Sequence, residues 1–418
     1  MDLPRVELGS FDLSNLETFW TRPRDEREGA FKTLRDMDGL AFFEELEFED
    51  SPMPRGPGYW ALARHADIWH VSRNPQLFCS GQGSNIGDMP QEMNEFFGSM
   101  IAMDDPKHFR LRSIVSKGFT PREIAKVEEY VHTKAATIID DLVERFPDRR
   151  CDFVEHVAAA LPLQIICDMM GIPEEDHEKV FHWTNTILGV GDPEFVGTLE
   201  DLMSHALEMF MYAQALGEDR RANPRDDITS VLMAAEVDGE KLTAQEFGSF
   251  FILLVVAGNE TTRNAVSHGM KALTEHPDQL ALLYGDFDRH AKTAMEEIVR
   301  WATPVINFRR TATEDTEIAG QQIAAGDKVV MWYCSGNRDE RVYDDPFRFD
   351  ITRPIQPQQI GFGAGGPHFC LGANLARREM TVMFDELRRR MPTLRITGEP
   401  DYLQSNFING IKRMECSW

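Results

Sequence analysis

The segment from Thr243 to about Glu275 constrains the fold more than any other part of the chain. Thr243 followed three residues later by Glu246 has the pattern of a helix-opening capping box, and Pro277 marks the far end. At ~1.5 Å per residue such a helix would be roughly 50 Å long. Its centre, Phe250 to Val256, is apolar on every side. A helix with no polar face has to be enclosed by the rest of a large protein. The longest strongly apolar stretch, Phe250 to Ala257, is far shorter than the ~20 residues of a membrane span. The remaining chain is therefore expected to wrap around this helix.

What flanks it fits that expectation. From Pro121 to about Leu282 the pattern is almost wholly helical, with turns at Asp226-Asp227 and Asp238-Gly239. Earlier, Tyr59–Ala63 reads as a strand and His65–Ser72 as a short helix, while Gly81 to Gly98 reads mostly as loop. After Arg300, short strands are expected at Glu317–Ile318, Gln321–Ile323 and Lys328–Trp332, with turns at Gly320 and Gly326. Asn337 to Pro357 is irregular, and Leu371 to Arg390 is a helix stopped by Pro392. The class is mainly α with a minor β portion, and residues 1–418 read as a single domain.

Charge narrows the possible functions. Forty-four Lys and Arg against 69 Asp and Glu leave a net charge of −25, which repels phosphate backbones and argues against nucleic-acid binding. Met1 to Trp20 shows neither the basic nor the apolar region of a secretory signal, so a cytoplasmic protein is expected. Cys79, Cys151, Cys167, Cys334, Cys370 and Cys416 are scattered without metal-site spacing. Five of them read as small buried hydrophobes.

Cys370 reads differently. Gly361, Gly363, Gly365 and Gly366 precede it, and a helix begins just after it. Glycines let a backbone approach a flat ligand closely. A helix N-terminus favours thiolate, and a thiolate can serve as an axial ligand to haem iron.

A second constellation, Ala257-Gly258-Asn259-Glu260-Thr261-Thr262, puts glycine and a carboxylate into the buried helix at a cost in stability. Such violations mark functional sites, and an acid beside an alcohol can relay protons. The same residues also fit a threonine bonded to the carbonyl four residues back and a glutamate in an ion pair. Glu297 and Arg300 share one helical face; an ordinary exposed pair is the plainer account of them. His108, Arg112, Arg310 and His368 are cations that together could hold two carboxylates.

These motifs, in this order, resemble the cytochrome P450 family over nearly the whole chain. The resemblance implies the cytochrome P450 fold with a long central helix over haem b, and a monooxygenase that uses O2. It implies that Cys370 is the axial thiolate and that Glu260 and Thr261 are the acid–alcohol pair. His108, Arg112, Arg310 and His368 would hold the haem propionates. Glu297 and Arg300, with Arg348 as third member, would form the structural ion pair. Phe97, Met100, Leu253, Ala257, Ile306 and Phe407 would line the pocket for a hydrophobic substrate. Electrons would come from a ferredoxin and its NAD(P)H-dependent reductase. Apart from the resemblance, Lys107, Arg110, Lys117, Arg377 and Arg378 read as a basic patch on the cysteine side of a very acidic chain, where such a partner could dock.

The family loop usually separates its Phe and Cys by seven positions; Phe362 to Cys370 spans eight, leaving the register of Gly365–Pro367 open. Leu161–Gly171, Val255–Asn264 and Gly372–Glu379 resemble the mycobacterial methyl-branched-lipid omega-hydroxylases, with sterol side-chain hydroxylases next. A peroxide-driven peroxygenase and a non-catalytic haem protein are the rival readings.

Overall fold

The computed structural model describes residues 3–45, 55–119, 121–189, 191–195, 199–237 and 239–418. The central helix runs from Ala244 to Glu275. Thr243 accepts from the Glu246 N–H, and the Glu246 side chain accepts from the Thr243 N–H at 2.9 Å, so the capping box forms as expected. Pro277 starts the next helix, Pro277–Gly285.

Around the central helix pack helices Ala160–Met170, His177–Leu188, Leu199–Ala222, Phe287–Ala302 and Ala373–Arg390. Their inward faces form one continuous core in which Phe247, Phe251, Val255, Met270 and Leu273 of the central helix are buried. Gly258 lies where helix Ala160–Met170 comes closest: a Cβ there would stand 3.1 Å from Ile166 Cγ1. A larger residue at 258 would push the two helices apart.

A second core covers a five-stranded sheet, ordered Ala41–Phe43, Tyr59–Leu62, Lys328–Trp332, Asn307–Ala312, Phe78–Cys79. Lys328–Trp332 runs parallel to Tyr59–Leu62 and antiparallel to Asn307–Ala312. On one face, Trp332 stacks on Trp20 at 5.7 Å and packs with Phe31 and Tyr59. The turns expected at Gly320 and Gly326 are present, both with positive φ. Asp227 caps helix Ile228–Ala234 by accepting from the Ser230 N–H.

Two expectations need correction. Gln91–Gly98 is a helix rather than loop. Its aromatic residue Phe96 packs on Phe210, 5.4 Å away on a distant helix, so the element is held by a tertiary contact that periodicity does not reveal. The 121–282 region is also interrupted, by the strand Arg150–Asp152 and by the hairpin Glu236–Val237 with Glu240–Lys241. Among the described residues no helix is long and apolar enough to cross a membrane.

Candidate active site

A cavity with about 1480 Å³ of empty space, its mouth included, lies between the central helix, the cysteine loop and the sheet. Cys370 is on its wall. The Cys370 N–H donates to Phe362 O at 2.9 Å, which closes the loop. The thiol is exposed only towards this interior space. Burial raises the thiol pKa, while backbone N–H groups of Gly372 and Ala373, at the start of helix Ala373–Arg390, and the charges of Arg112 and Arg377 oppose the rise.

Within the longer loop two consecutive glycines are left-handed, Gly365 (φ +76°) and Gly366 (φ +77°). Ser72 Oγ donates to Gly365 O at 2.9 Å, and a Cβ on Gly366 would stand 2.1 Å from Ser72 O. Only glycine fits at 366.

The polar rim of the cavity fits a dianionic planar cofactor. Arg112, Arg310 and His368 are on its wall. Among the described residues no carboxylate pairs with Arg112 or Arg310; Arg112 donates to Phe369 O at 2.5 Å and Arg310 to Arg309 O at 2.7 Å. Burial lowers the pKa of both. His108 packs on His368 at a 41° tilt with centroids 4.4 Å apart, and among the described residues its buried Nε2 has no hydrogen-bond partner. Burial, then Arg310, pushes His368 down to about 2, and burial also lowers His108. The rim thus presents two arginines beside two imidazoles that burial holds towards the neutral form. Two carboxylates placed here would satisfy the arginines and restore the histidine pKa values.

On the central helix, Ala257 and Thr261 face the cavity, as do Met100 and Leu253. Thr261 Oγ1 donates to Ala257 O at 2.9 Å. Glu260 is 1% exposed and off the cavity wall; it is ion-paired to Arg263, whose Nη1 donates to Asn185 Oδ1 at 2.8 Å. The back-bonded threonine and paired glutamate of the plainer reading are thus both present. Among the described residues Glu260 Oε1 has no hydrogen-bond partner, and burial raises the carboxyl pKa against the pull of Arg263. The pair with Arg263 holds the carboxylate off the cavity wall.

A different acid already faces the cavity. Glu379, on helix Ala373–Arg390, lines the wall and accepts from the Thr262 side chain; burial pushes it up to about 8. Sequence reasoning missed it because Arg377-Arg378-Glu379 reads as a surface charge cluster. The folded state holds a proton on Glu379 that the unfolded chain releases near its usual 4.5. Its contribution to stability is therefore full below about 4.5 and is lost as pH rises through 8. At ~1.4 kcal/mol per pH unit, wild type should lose up to ~4 kcal/mol of stability relative to Glu379→Gln between pH 5 and 8. Denaturant titrations at both pH values check this; a constant difference would show that Glu379 is not protonated in the fold.

Three pocket expectations fall outside the wall. Val305 and Phe308 line it, but Ile306 does not. Successive residues of an extended segment point to opposite sides, and Ile306 enters the N-terminal core instead. Phe407 packs behind Phe308 at 5.5 Å, and Phe97 packs on Phe96.

Glu297 and Arg300 are 2% and 1% exposed, so the surface-pair account fails. Arg300 Nε and Nη2 bind the carboxylate at 2.7 and 2.8 Å, and Nη1 donates to Asn337 O and Pro346 O. The third cation is Arg353, 3.3 Å from Glu297, not Arg348. Arg348 points outward to Asp350 and contributes its carbonyl. The network holds the irregular 337–353 stretch against helix Phe287–Ala302.

Most of the expected docking cations are engaged within the protein. Lys107 pairs with Glu95, Arg110 with Glu246, and Arg377 with Glu296, while Lys117 donates to Glu236 O.

A cysteine presented alone on a large apolar cavity, with arginines waiting at its edge, defines a haem-thiolate oxygenase. The chain belongs to the cytochrome P450 family, whose model matches residues 89–390. It is 51% identical over 415 residues to a methyl-branched lipid omega-hydroxylase of Mycobacterium tuberculosis, covering 99% of this chain and 96% of that one. It is 42% identical to a steroid C26-monooxygenase of Mycolicibacterium smegmatis, covering 92% and 90%. A Mycobacterium marinum cytochrome P450 solved in complex with pseudoionone superposes with a TM-score of 0.93 at 42% identity over 99% of each chain. The protein is a P450 monooxygenase of a lipophilic substrate with haem b as cofactor.

Proposed function

We propose that this enzyme hydroxylates the terminal carbon of a methyl-branched lipid such as a branched fatty acid or isoprenoid. The observation that carries the reading is the whole-length 51% identity to methyl-branched lipid omega-hydroxylases. The cavity agrees with it: Met100, Phe250, Leu253, Leu254, Val305 and Phe308 give a wall almost free of polar groups on the substrate side. Such a wall holds a chain by burial, at roughly 25 cal/mol per Å², and chooses its end by shape.

In this reading Cys370 ligates the iron, and Arg112, Arg310, His108 and His368 hold the propionates. Bound haem supplies the centre at which O2 is reduced and one oxygen atom passes to the substrate. The chain's own residues bind the lipid, exclude bulk water and move protons. Thr261 Oγ1 stands on the cavity wall as donor and acceptor; Glu260 is the buried acid next to it on the central helix, and Glu379, from helix Ala373–Arg390, is the buried acid that accepts from Thr262. Electrons come from a ferredoxin and its NAD(P)H-dependent reductase. The enzyme works in the cytoplasm, where its six free cysteines stay reduced. Residues 1–418 act as one domain around the cofactor.

Replacing Thr261 with Ala should leave lipid binding intact while product formed per O2 consumed falls several-fold. A non-catalytic haem protein would have no product to lose, and a peroxygenase would keep its peroxide-driven turnover.

The substrate class is tested by optical titration of the ferric protein with a methyl-branched fatty acid, its straight-chain analogue and a 3-keto sterol. A spin shift tightest for the branched acid supports the proposal. Tightest binding of the sterol moves the enzyme to steroid side-chain oxidation, the second reading favoured by the 42% relative. No shift with any of the three removes the substrate class and leaves the family assignment standing.

A further inference from the structure

Away from the cavity, two imidazoles meet on the outer side of the helices that cover the central one. His182, on helix His177–Leu188, and His205, on helix Leu199–Ala222, place their Nε2 atoms 3.3 Å apart. The rings are nearly perpendicular, at 82°, and reach solvent. His205 Nδ1 lies 2.9 Å from Asp201 O. A carbonyl oxygen only accepts, so this nitrogen carries the proton and the Nε2 lone pair of His205 points at His182.

That is how a metal-binding histidine is normally prepared: one ring N–H fastened to a carbonyl, the other nitrogen presented as a donor pair. The spacing agrees as well. Two nitrogens ~2.0–2.1 Å from a tetrahedral Zn²⁺ stand about 3.3–3.4 Å apart. Glu178 and Asp201, each one turn before a histidine and exposed, add negative charge to the neighbourhood. Among the described residues no group of three or more His, Cys, Asp or Glu is arranged to hold a metal ion, so water would complete the coordination shell.

We propose that His182 and His205 form a two-histidine site for a divalent transition-metal ion of the Zn²⁺ type, bridging the two helices. The bridge bears on the active site through helix His177–Leu188. Thr184 Oγ1 accepts from Asn259 Nδ2 at 3.2 Å, and Asn185 Oδ1 accepts from Arg263, the partner of Glu260. An ion at His182 therefore fastens the helix that braces the centre of the long helix.

The test is a calorimetric Zn²⁺ titration of chelator-stripped holoenzyme, wild type beside His182→Gln and His205→Gln. Removing an outer partner of a metal-bound histidine already weakens binding ~10–100-fold, so loss of a ligand should cost at least that much. Wild type should take up one equivalent that both variants lose, and saturating Zn²⁺ should raise the Tm of wild type alone. Identical isotherms for wild type and both variants would place any bound zinc elsewhere and overturn the site. So would wild type that takes up no zinc at sub-millimolar concentration.

Discussion

Exchanging Cys370 for serine abolishes oxygen insertion and leaves the fold in place. The loop is closed by the Cys370 N–H on Phe362 O and by Gly366 against Ser72, and both contacts belong to the backbone. The side chain faces the cofactor cavity and is not part of the packed core, so one oxygen in place of sulfur disturbs little packing. What disappears is the thiolate. A serine hydroxyl does not ionise at neutral pH and cannot push electron density onto iron as sulfur does. Turnover of a lipophilic substrate with O2 and a supply of electrons should fall by roughly 10³-fold or more, the scale of losing a group on which the chemical step depends. Circular dichroism and thermal unfolding should stay near wild type. Retained turnover would remove Cys370 from the site. Collapse of the fold would make its role structural.

The second large effect concerns stability. Arg300→Leu leaves Glu297 buried with only the Asp350 N–H at 2.9 Å and the more distant Arg353. Breaking a buried ion pair from one side costs ~3–5 kcal/mol, because the remaining charge is uncompensated. Arg300 also serves the Asn337 and Pro346 carbonyls, so their acceptors are orphaned together. The denaturant midpoint should fall accordingly with an unchanged slope. Arg353→Leu should cost only ~1 kcal/mol, since that contact is 3.3 Å long and nearer to solvent. Equal losses for the two variants would contradict the assignment of Arg300 as the main partner.

The sequence was most legible where local signals and the tertiary context agree. The central helix carries its own cap, its own stop and an apolar centre, so its bounds followed from Thr243, Glu246 and Pro277. Cys370 stood out because glycines and a helix start surround it. The pairing of Glu297 with Arg300 was visible from spacing, but its burial was not; that depends on carbonyls contributed by residues 337–348. Arg353 was overlooked in favour of Arg348 because the turn between them, not their order, decides which one faces inward. Glu379 was hidden for a similar reason. On its own helix it looks like one more charge among arginines, and only Thr262, 117 positions earlier, makes it a cavity residue. The helix Gln91–Gly98 likewise depends on Phe210 from the far side of the fold.

The way the cavity wall is shared out along the chain has a consequence for how such a protein diversifies. The stretches that give the cavity its apolar wall, around Met100–Ile101, Phe250–Leu254 and Pro304–Phe308, are separate from those that carry its reactive groups, Thr261–Thr262, Cys370 and Glu379. A lineage can therefore rewrite its diet one short stretch at a time while the oxidising machinery is inherited untouched. Divergence between sister enzymes should accordingly be concentrated in those three stretches. A graft of all three from a relative with another preference is the smallest transplant expected to carry that preference with it.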